Sequence, residues 1–202
     1  MRLVFVFALA VILAGCFTAG KRGGDSALAI YDLGFVSELS SAKPRPQQLL
    51  AVEVRAPLWF DSMGIEYRLA YADIARLREY SRARWAGPPA QLIQQRLVQQ
   101  LGFVAPGQSR AGCVLRIDIT EFSQVFESPD HSHALLQARL QWLDRTRSSI
   151  AVRELSLRSD SPSSDARGAV TALSDSIEQL TVTIRQWESE LDLAGQLKVC
   201  GV

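Results

Sequence analysis

Val114-Leu115-Arg116-Ile117-Asp118-Ile119-Thr120-Glu121-Phe122-Ser123-Gln124-Val125-Phe126 decides the fold. Leu115, Ile117 and Ile119 share one side, and Arg116, Asp118 and Thr120 share the other. Alternation at period two is the signature of a strand with one buried face. Carried on strictly, it would turn Glu121 inward, so the stretch predicts a bulge or a strand end at Glu121-Phe122. Ser128-Pro129-Asp130 begins a turn, after which Ala134, Leu136, Ala138, Leu140 and Trp142 alternate with Gln137, Arg139 and Gln141. Asp144 to Ser149 turns the chain again and Ile150 to Arg158 returns. Three such strands in succession read as an antiparallel meander.

The flanking segments supply helices and further strands. Pro89 suits the first turn of a helix, where its missing N–H is not needed, and Ile93, Leu97 and Leu101 then recur every fourth residue up to Gly102. Beyond a Ser/Pro/Asp loop, Ser164 is the expected N-cap, with Asp165 favourable to the helix dipole. Ala166, Val170, Leu173, Ile177, Leu180, Ile184, Trp187 and Leu191 then make an apolar seam along a helix of about 25 residues. Thr181, Thr183 and Gly168 weaken it as a coiled-coil seam, which favours packing on the sheet. Upstream, Ala27–Leu33, Leu49–Val54 and Ile65–Tyr71 read as strands, the last in a hairpin with Leu77–Tyr80. The sum is a single α+β domain over residues 27–202, a mostly antiparallel sheet packed against two main α-helices.

The N-terminus is of another kind. Met1-Arg2 precedes an uncharged apolar run, Leu3–Leu13, and Leu13-Ala14-Gly15-Cys16 follows it. The run is shorter than the ~20 residues a membrane-spanning helix needs. It reads as a cleaved signal, residues 1–15, whose last residues form a lipobox and expose Cys16 for lipidation. Phe17 to Ser26, with Gly20, Gly23 and Gly24, reads as a flexible tether behind the lipid.

The chain of 202 residues carries 22 Lys+Arg and 21 Asp+Glu. That even balance gives no electrostatic drive toward nucleic acid. With Cys16 assigned to lipid, Cys113 and Cys200 remain, and in an oxidising compartment a disulfide between them is the simplest expectation. Two unpaired thiols are the alternative.

Catalytic signatures are missing: no GxSxG, P-loop, HExxH or GxGxxG occurs. His131 and His133 flank Ser132 beside Asp130 in an expected hairpin turn, but no third firm ligand accompanies them and no metal is expected. Asp118, Glu121, Glu127 and Asp130 read as a solvated strand face. The aromatic group Trp59, Phe60, Tyr67, Tyr71, Tyr80 and Trp85 divides between core and a contact surface. Trp59, Phe60, Trp85, Pro88 and Pro89 are the candidate residues for contact with a partner or a lipid.

Several stretches in consistent order resemble one family, the ABC-type transport auxiliary lipoproteins, including those of paraquat-inducible and related phospholipid-transport systems. They are Tyr31-Asp32-Leu33-Gly34, Ala56-Pro57-Leu58-Trp59-Phe60-Asp61 with Ile65-Glu66-Tyr67-Arg68-Leu69, and Arg84-Trp85-Ala86-Gly87-Pro88-Pro89-Ala90-Gln91-Leu92. Glu121 to Phe126, Ser128-Pro129 and Ala134 to Arg139 continue the match. The resemblance implies a non-enzymatic accessory beside an ABC permease, its ATPase and a protein with a mammalian-cell-entry (MCE) domain. Such systems move phospholipids or other hydrophobic molecules across the envelope, so ATP chemistry would belong to a partner. By resemblance to bacterial lipoproteins, Phe17 rather than Asp after Cys16 permits sorting to the outer membrane, so anchoring at its periplasmic face is the expectation; the inner membrane is the alternative. A lipid-binding carrier and, further off, an envelope hydrolase are the competing functions, and a second copy of the chain stays open as a partner.

Overall fold

The computed structural model describes residues 27–35, 50–105 and 111–201. Cys16, the tether through residue 26 and the Pro-containing loop expected over residues 37–48 lie outside these. In the described residues the domain is α+β. Its strands are β1 (Ala29–Tyr31), β2 (Leu50–Arg55), β3 (Gly64–Leu69), β4 (Asp73–Trp85), β5 (Cys113–Ser128), β6 (His131–Leu143) and β7 (Ser149–Asp160). Its helices are α1 (Pro89–Leu101) and α2 (Ala166–Leu193), followed by a 3-10 turn over Gln196–Cys200.

All seven strands join one sheet in the order β1-β4-β3-β5-β6-β7, with β2 also on β5. The meander is present: β5 with β6 and β6 with β7 are long antiparallel pairs. Three shorter pairings are parallel, β1 with β4, β2 with β5 and β3 with β5. β5 reaches both β2 and β3 because it is long. Cys113–Asp118 pair with β2, and Gln124–Phe126 pair with β3.

The phase switch falls where the side-chain pattern requires it. The β5–β6 register shifts between Ile119 and Glu121. Before it Leu115, Ile117 and Ile119 enter the core; beyond it Phe122 does, while Glu121 turns away to pair with Arg68 at 3.1 Å. Without that extra residue Glu121 would be buried unpaired, at a cost of several kcal/mol.

β4 extends well past the expected Leu77–Tyr80. Its register against β3 jumps between Gly64↔Arg84 and Glu66↔Glu79, so no simple alternation marks its second half. α1 begins at Pro89 and ends at Gly102, which takes the left-handed conformation (φ 67°) that a Cβ would strain. Asp165, one residue past the expected cap, caps α2. Its carboxylate accepts the Gly168 N–H at 2.8 Å, and that bond holds it below the usual carboxylate range. The α2 seam lies on the sheet, where Leu173, Ile177, Leu180, Ile184 and Trp187 are buried against β5, β6 and β7.

The chain end is bonded back to the sheet. Cys113, first residue of β5, and Cys200 form a disulfide with Cα atoms 5.1 Å apart. Both are buried, and Gly112 lies against the Cys200 backbone so closely that a Cβ would stand 2.0 Å from the Cys200 carbonyl oxygen. We expect a non-reducing peptide map to recover the Cys113 and Cys200 peptides joined. A Cys113→Ala/Cys200→Ala chain should lose about 2–4 kcal/mol in urea denaturation, since the bridge closes a long loop. Separate peptides and unchanged stability would refute the bond.

Candidate functional site

Two short segments far apart in sequence meet at one end of the sheet. β1 pairs in parallel with the end of β4, Tyr31 beside Trp85, and the Ala86 N–H donates to the Tyr31 carbonyl at 2.6 Å. The chain then runs through Asp32-Leu33-Gly34 past the start of α1. Asp32 accepts the Gly34 N–H at 2.8 Å, and Gly34 has φ 69°, so the segment bends sharply away from the sheet. Pro88 and Pro89 set the helix start, with the N–H groups of Gln91 and Leu92 donating to the Pro88 carbonyl at 3.0 and 3.1 Å.

Arg96 fixes this bend. It stands on α1 next to the apolar residues Ile93 and Leu97 yet is 6% exposed. Its guanidinium donates to the carbonyls of Leu33 and Gly34, the latter at 2.8 Å, and pairs with Glu178 of α2 at 3.3 Å. A rigid planar fork with several donors meets three acceptors at once, which an ammonium on a flexible stem does less well. Gln100 continues the seam: its amide donates to Glu178 at 2.6 and 2.7 Å, and the Thr181 hydroxyl donates to Gln100 Oε1 at 2.7 Å. Arg185 donates to the Gln100 carbonyl. The two helices are thus joined by a row of polar contacts, and Thr181, which looks like a fault in the apolar seam, is one of them.

Clefts open on both sides of the Leu33-Gly34 segment. One, of about 490 Å³, lies toward α1 and is lined by Asp32, Phe35, Gly87, Gln91, Leu92 and Gln95 among others. The second, of about 520 Å³, lies toward α2 and includes Ile30, Val170, Ser174 and Asp175. Their walls mix amide, carboxylate and apolar groups, and Phe35 and Ile30 are exposed at the rim. Such a surface can hold a peptide segment or the edge of a neighbouring domain.

The five candidate contact residues separate here. Trp59 is 67% exposed on the loop between β2 and β3, beside exposed Leu58 and Met63. Pro88 is half-buried just before the helix start. Phe60 and Trp85 are core residues, 3% and 1% exposed, and their side chains cannot meet a partner. Trp85 packs near Phe122, ring centroids 5.9 Å apart, because its position on β4 alternates inward with Ala83. Pro89 is buried under the helix start.

A family model covers most of the described length, both cleft-forming segments included. The model of the ABC-type transport auxiliary lipoprotein component matches residues 31–185. This chain belongs to that family. Among solved structures, a DUF330 protein from Xanthomonas campestris shares the fold with a TM-score of 0.66 at 20% identity, covering 79% of this chain and 94% of its own. An uncharacterised protein shares it at 0.62 and 15% identity, covering 79% and 97%. No curated protein matches the sequence. The family member described here is therefore a lipoprotein component of ABC transport at the cell envelope.

The remaining titratable clusters lie elsewhere on the sheet. His133 is buried, with Nδ1 3.2 Å from the Arg158 guanidinium and 3.6 Å from Glu127; burial, then Arg158, lowers its affinity for a proton. His131 is exposed, with Nε2 3.9 Å from Glu127. Glu127 is itself claimed by Arg158 at 2.5 Å. Among the described residues no group of His, Cys, Asp and Glu is arranged to hold a metal ion. Glu66 is the unusual acid. It is 8% exposed, one carboxylate oxygen has no hydrogen-bond partner, and Glu79 lies directly across on β4. Burial, then the charges of Glu79 and Glu121, push it up to about 7.

Two outcomes follow from these contacts. Arg96→Met should cost about 2–3 kcal/mol, because the Leu33 and Gly34 carbonyls lose a charged donor, and should speed amide exchange in residues 27–35. Unchanged exchange there would show that Arg96 does not hold the bend. For Glu66 the folded protein keeps a proton that the unfolded chain has released, so stability falls as pH rises from about 4.5 through about 7. Glu66→Gln should therefore stabilise the domain at pH 8, by at most about 3 kcal/mol, and the gain should shrink toward pH 5. Urea titrations at the two pH values read this, and a gain independent of pH would refute it.

Proposed function

We propose that this chain is a non-enzymatic accessory lipoprotein of an ABC/MCE-type envelope system for phospholipids or other hydrophobic molecules. Cys16 carries the lipid anchor, residues 1–15 are removed, and the domain stands at the periplasmic face of the outer membrane. There it links the MCE protein, and through it the permease and ATPase, to that membrane. The observation that carries this reading is the meeting of Tyr31–Gly34 and Ala86–Leu92, both inside the family match, at a pair of clefts with exposed apolar rims. Polar, shallow walls with isolated aromatic anchors suit protein recognition better than catalysis.

The carrier reading is less well supported. A lipid held between helix and sheet needs empty apolar space, and that interface is filled by Leu136, Leu140, Trp142, Leu173, Ile177 and Ile184, each 1% exposed or less. Core packing of that kind leaves no room for an acyl chain.

Affinity purification of the tagged chain from native membranes tests the proposal. An MCE-domain protein and ABC components should co-purify. Trp59→Ser combined with Gln95→Lys should reduce their yield about tenfold while leaving the fold intact, the equivalent of about 1.4 kcal/mol of docking energy. Recovery of the chain with no MCE or ABC component would sink the proposal, and lipid retained by the soluble domain in native mass spectrometry would favour the carrier.

A further inference from the structure

The sheet ends on β7, and that edge is long and regular. β7 pairs with β6 without interruption from Ala151 to Asp160, and no described strand lies on its other side. The backbone N–H and C=O groups of that side are a template for a further strand. Edges are commonly blunted by a proline, a lysine or a bulge. β7 has no proline and no lysine, and its register shift against β6 falls before Ala151. On the helix face Leu155 and Leu157 are half-buried against the core, so the apolar layer runs out to the edge.

The charges select what can pair there. On the face away from the helices, residues of opposite sign stand side by side across successive strands: Asp118 of β5 beside Arg139 of β6, and Arg139 beside Glu154 of β7. The row stops at Glu154, whose next neighbour on an added strand should be basic. β7 carries that base itself, at Arg158. A second copy, turned by two-fold symmetry about Ser156, sets Glu154 against Arg158 twice, Ser156 against itself and Val152 against Asp160. On the helix face the same register sets Leu155 against Leu157 twice and Arg153 against Ser159. A shift of two residues keeps the faces but loses the match. One way Glu154 meets Asp160; the other way it meets Ser156.

The present contacts of these two side chains leave room for a further one. Glu154 is 68% exposed and only 3.6 Å from Arg139, itself half-exposed, and such pairs contribute little. Arg158 is 59% exposed and reaches Glu127 and His133 through Nη2, which leaves Nε and Nη1 for another carboxylate. α2 runs along β7, with Gln179 donating to Ser159 at 2.9 Å and Glu190 taking Arg153 at 2.6 Å. Between those contacts the stripe continues through Thr183 and Gln186, which are uncharged, so a second copy's helix meets no like charge there.

We propose that this chain self-associates as a two-fold dimer through β7, its sheet continuing across Ser156 into a second copy. The backbone ladder supplies affinity, and the Glu154–Arg158 pairs fix the register. This surface is separate from the clefts beside α1 and does not depend on the transport reading.

Sedimentation equilibrium of the full lipidated chain in density-matched detergent should show the dimer. Glu154→Arg and Arg158→Glu each oppose like charges twice, and each should weaken it about tenfold or more. An equimolar mixture of the two variants should recover it, because every pair in the mixed dimer is again of opposite sign. A variant that had lost its fold could not give that recovery. Under mild oxidation Ser156→Cys should cross-link to itself, since directly opposed residues have Cα atoms about 4.5–5.5 Å apart, inside the disulfide range. Val152→Cys, well away from the axis, should not. A chain monomeric up to about 0.1 mM would overturn the proposal. So would a dimer that both charge variants leave unchanged, no recovery in the mixture, or Val152→Cys cross-linking as fast as Ser156→Cys.

Discussion

The extra residue at Thr120–Glu121 governs this molecule. Among the described strands β5 is the one that pairs with three others, and its inward face changes parity along its length. Its first half gives Leu115, Ile117 and Ile119 to the core and accepts β2; its second half gives Phe122 and accepts β3. A strand without the shift would put Glu121 and Ser123 against the helices and turn Phe122 to the opposite face of the sheet. The bulge thus sets which charges meet on the far side. Arg68 reaches Glu121 at 3.1 Å because both have been turned to the same face. Glu66, two residues before Arg68, is drawn into the same neighbourhood and keeps its proton up to about 7.

The helices depend on the sheet for position and on each other for detail. α2 contributes apolar burial along its seam, worth about 1.5–3 kcal/mol for each fully buried large side chain. α1 lies on β2, where Gln94 accepts the Val54 N–H at 3.0 Å, and its exit segment returns to β2 as Val104 bonds with Leu50 and Val52. Arg96, Gln100, Glu178 and Thr181 then specify how the helices sit against one another and where Leu33-Gly34 passes. Apolar contacts tolerate sliding; a planar guanidinium with three named acceptors does not. The clefts owe their shape to this polar row rather than to the core.

What could be read from sequence follows the same division. The meander, both helices and the bulge were legible because each rests on periodicity, and period two and period 3.6 survive in a single chain. The parallel pairings were not. β2 and β3 are short, and nothing local in Leu50–Arg55 says that its partner begins at Cys113. β4 was legible only in part, because an irregular register with β3 breaks its alternation. Among the candidate contact residues Trp85 is core: a tryptophan next to a turn signal gives no hint of which face its strand presents. Arg96 and Glu178 carried a weak signal, charges beside an apolar stripe, that takes meaning only once the facing helix is known.

Geometry also bears on which end of the domain meets the membrane. With Cys16 as the lipid-bearing residue, ten residues lie between it and Ala27, where the described chain begins, so eleven Cα-to-Cα steps join the two. Fully extended they span at most about 40 Å. The chain enters the sheet at Ala29, and two residues after β1 it forms the wall between the clefts. A lipid on Cys16 would keep the Leu33-Gly34 end within reach of the bilayer, with the exposed Trp59 loop tied to the same end of β4 by the Met63–Trp85 bond of 2.7 Å. On that proposal a partner docking there would be met close to the anchoring leaflet. Lengthening the tether would change how far the docking surface stands from the membrane without changing the surface itself, which separates the role of the lipid from the role of the fold.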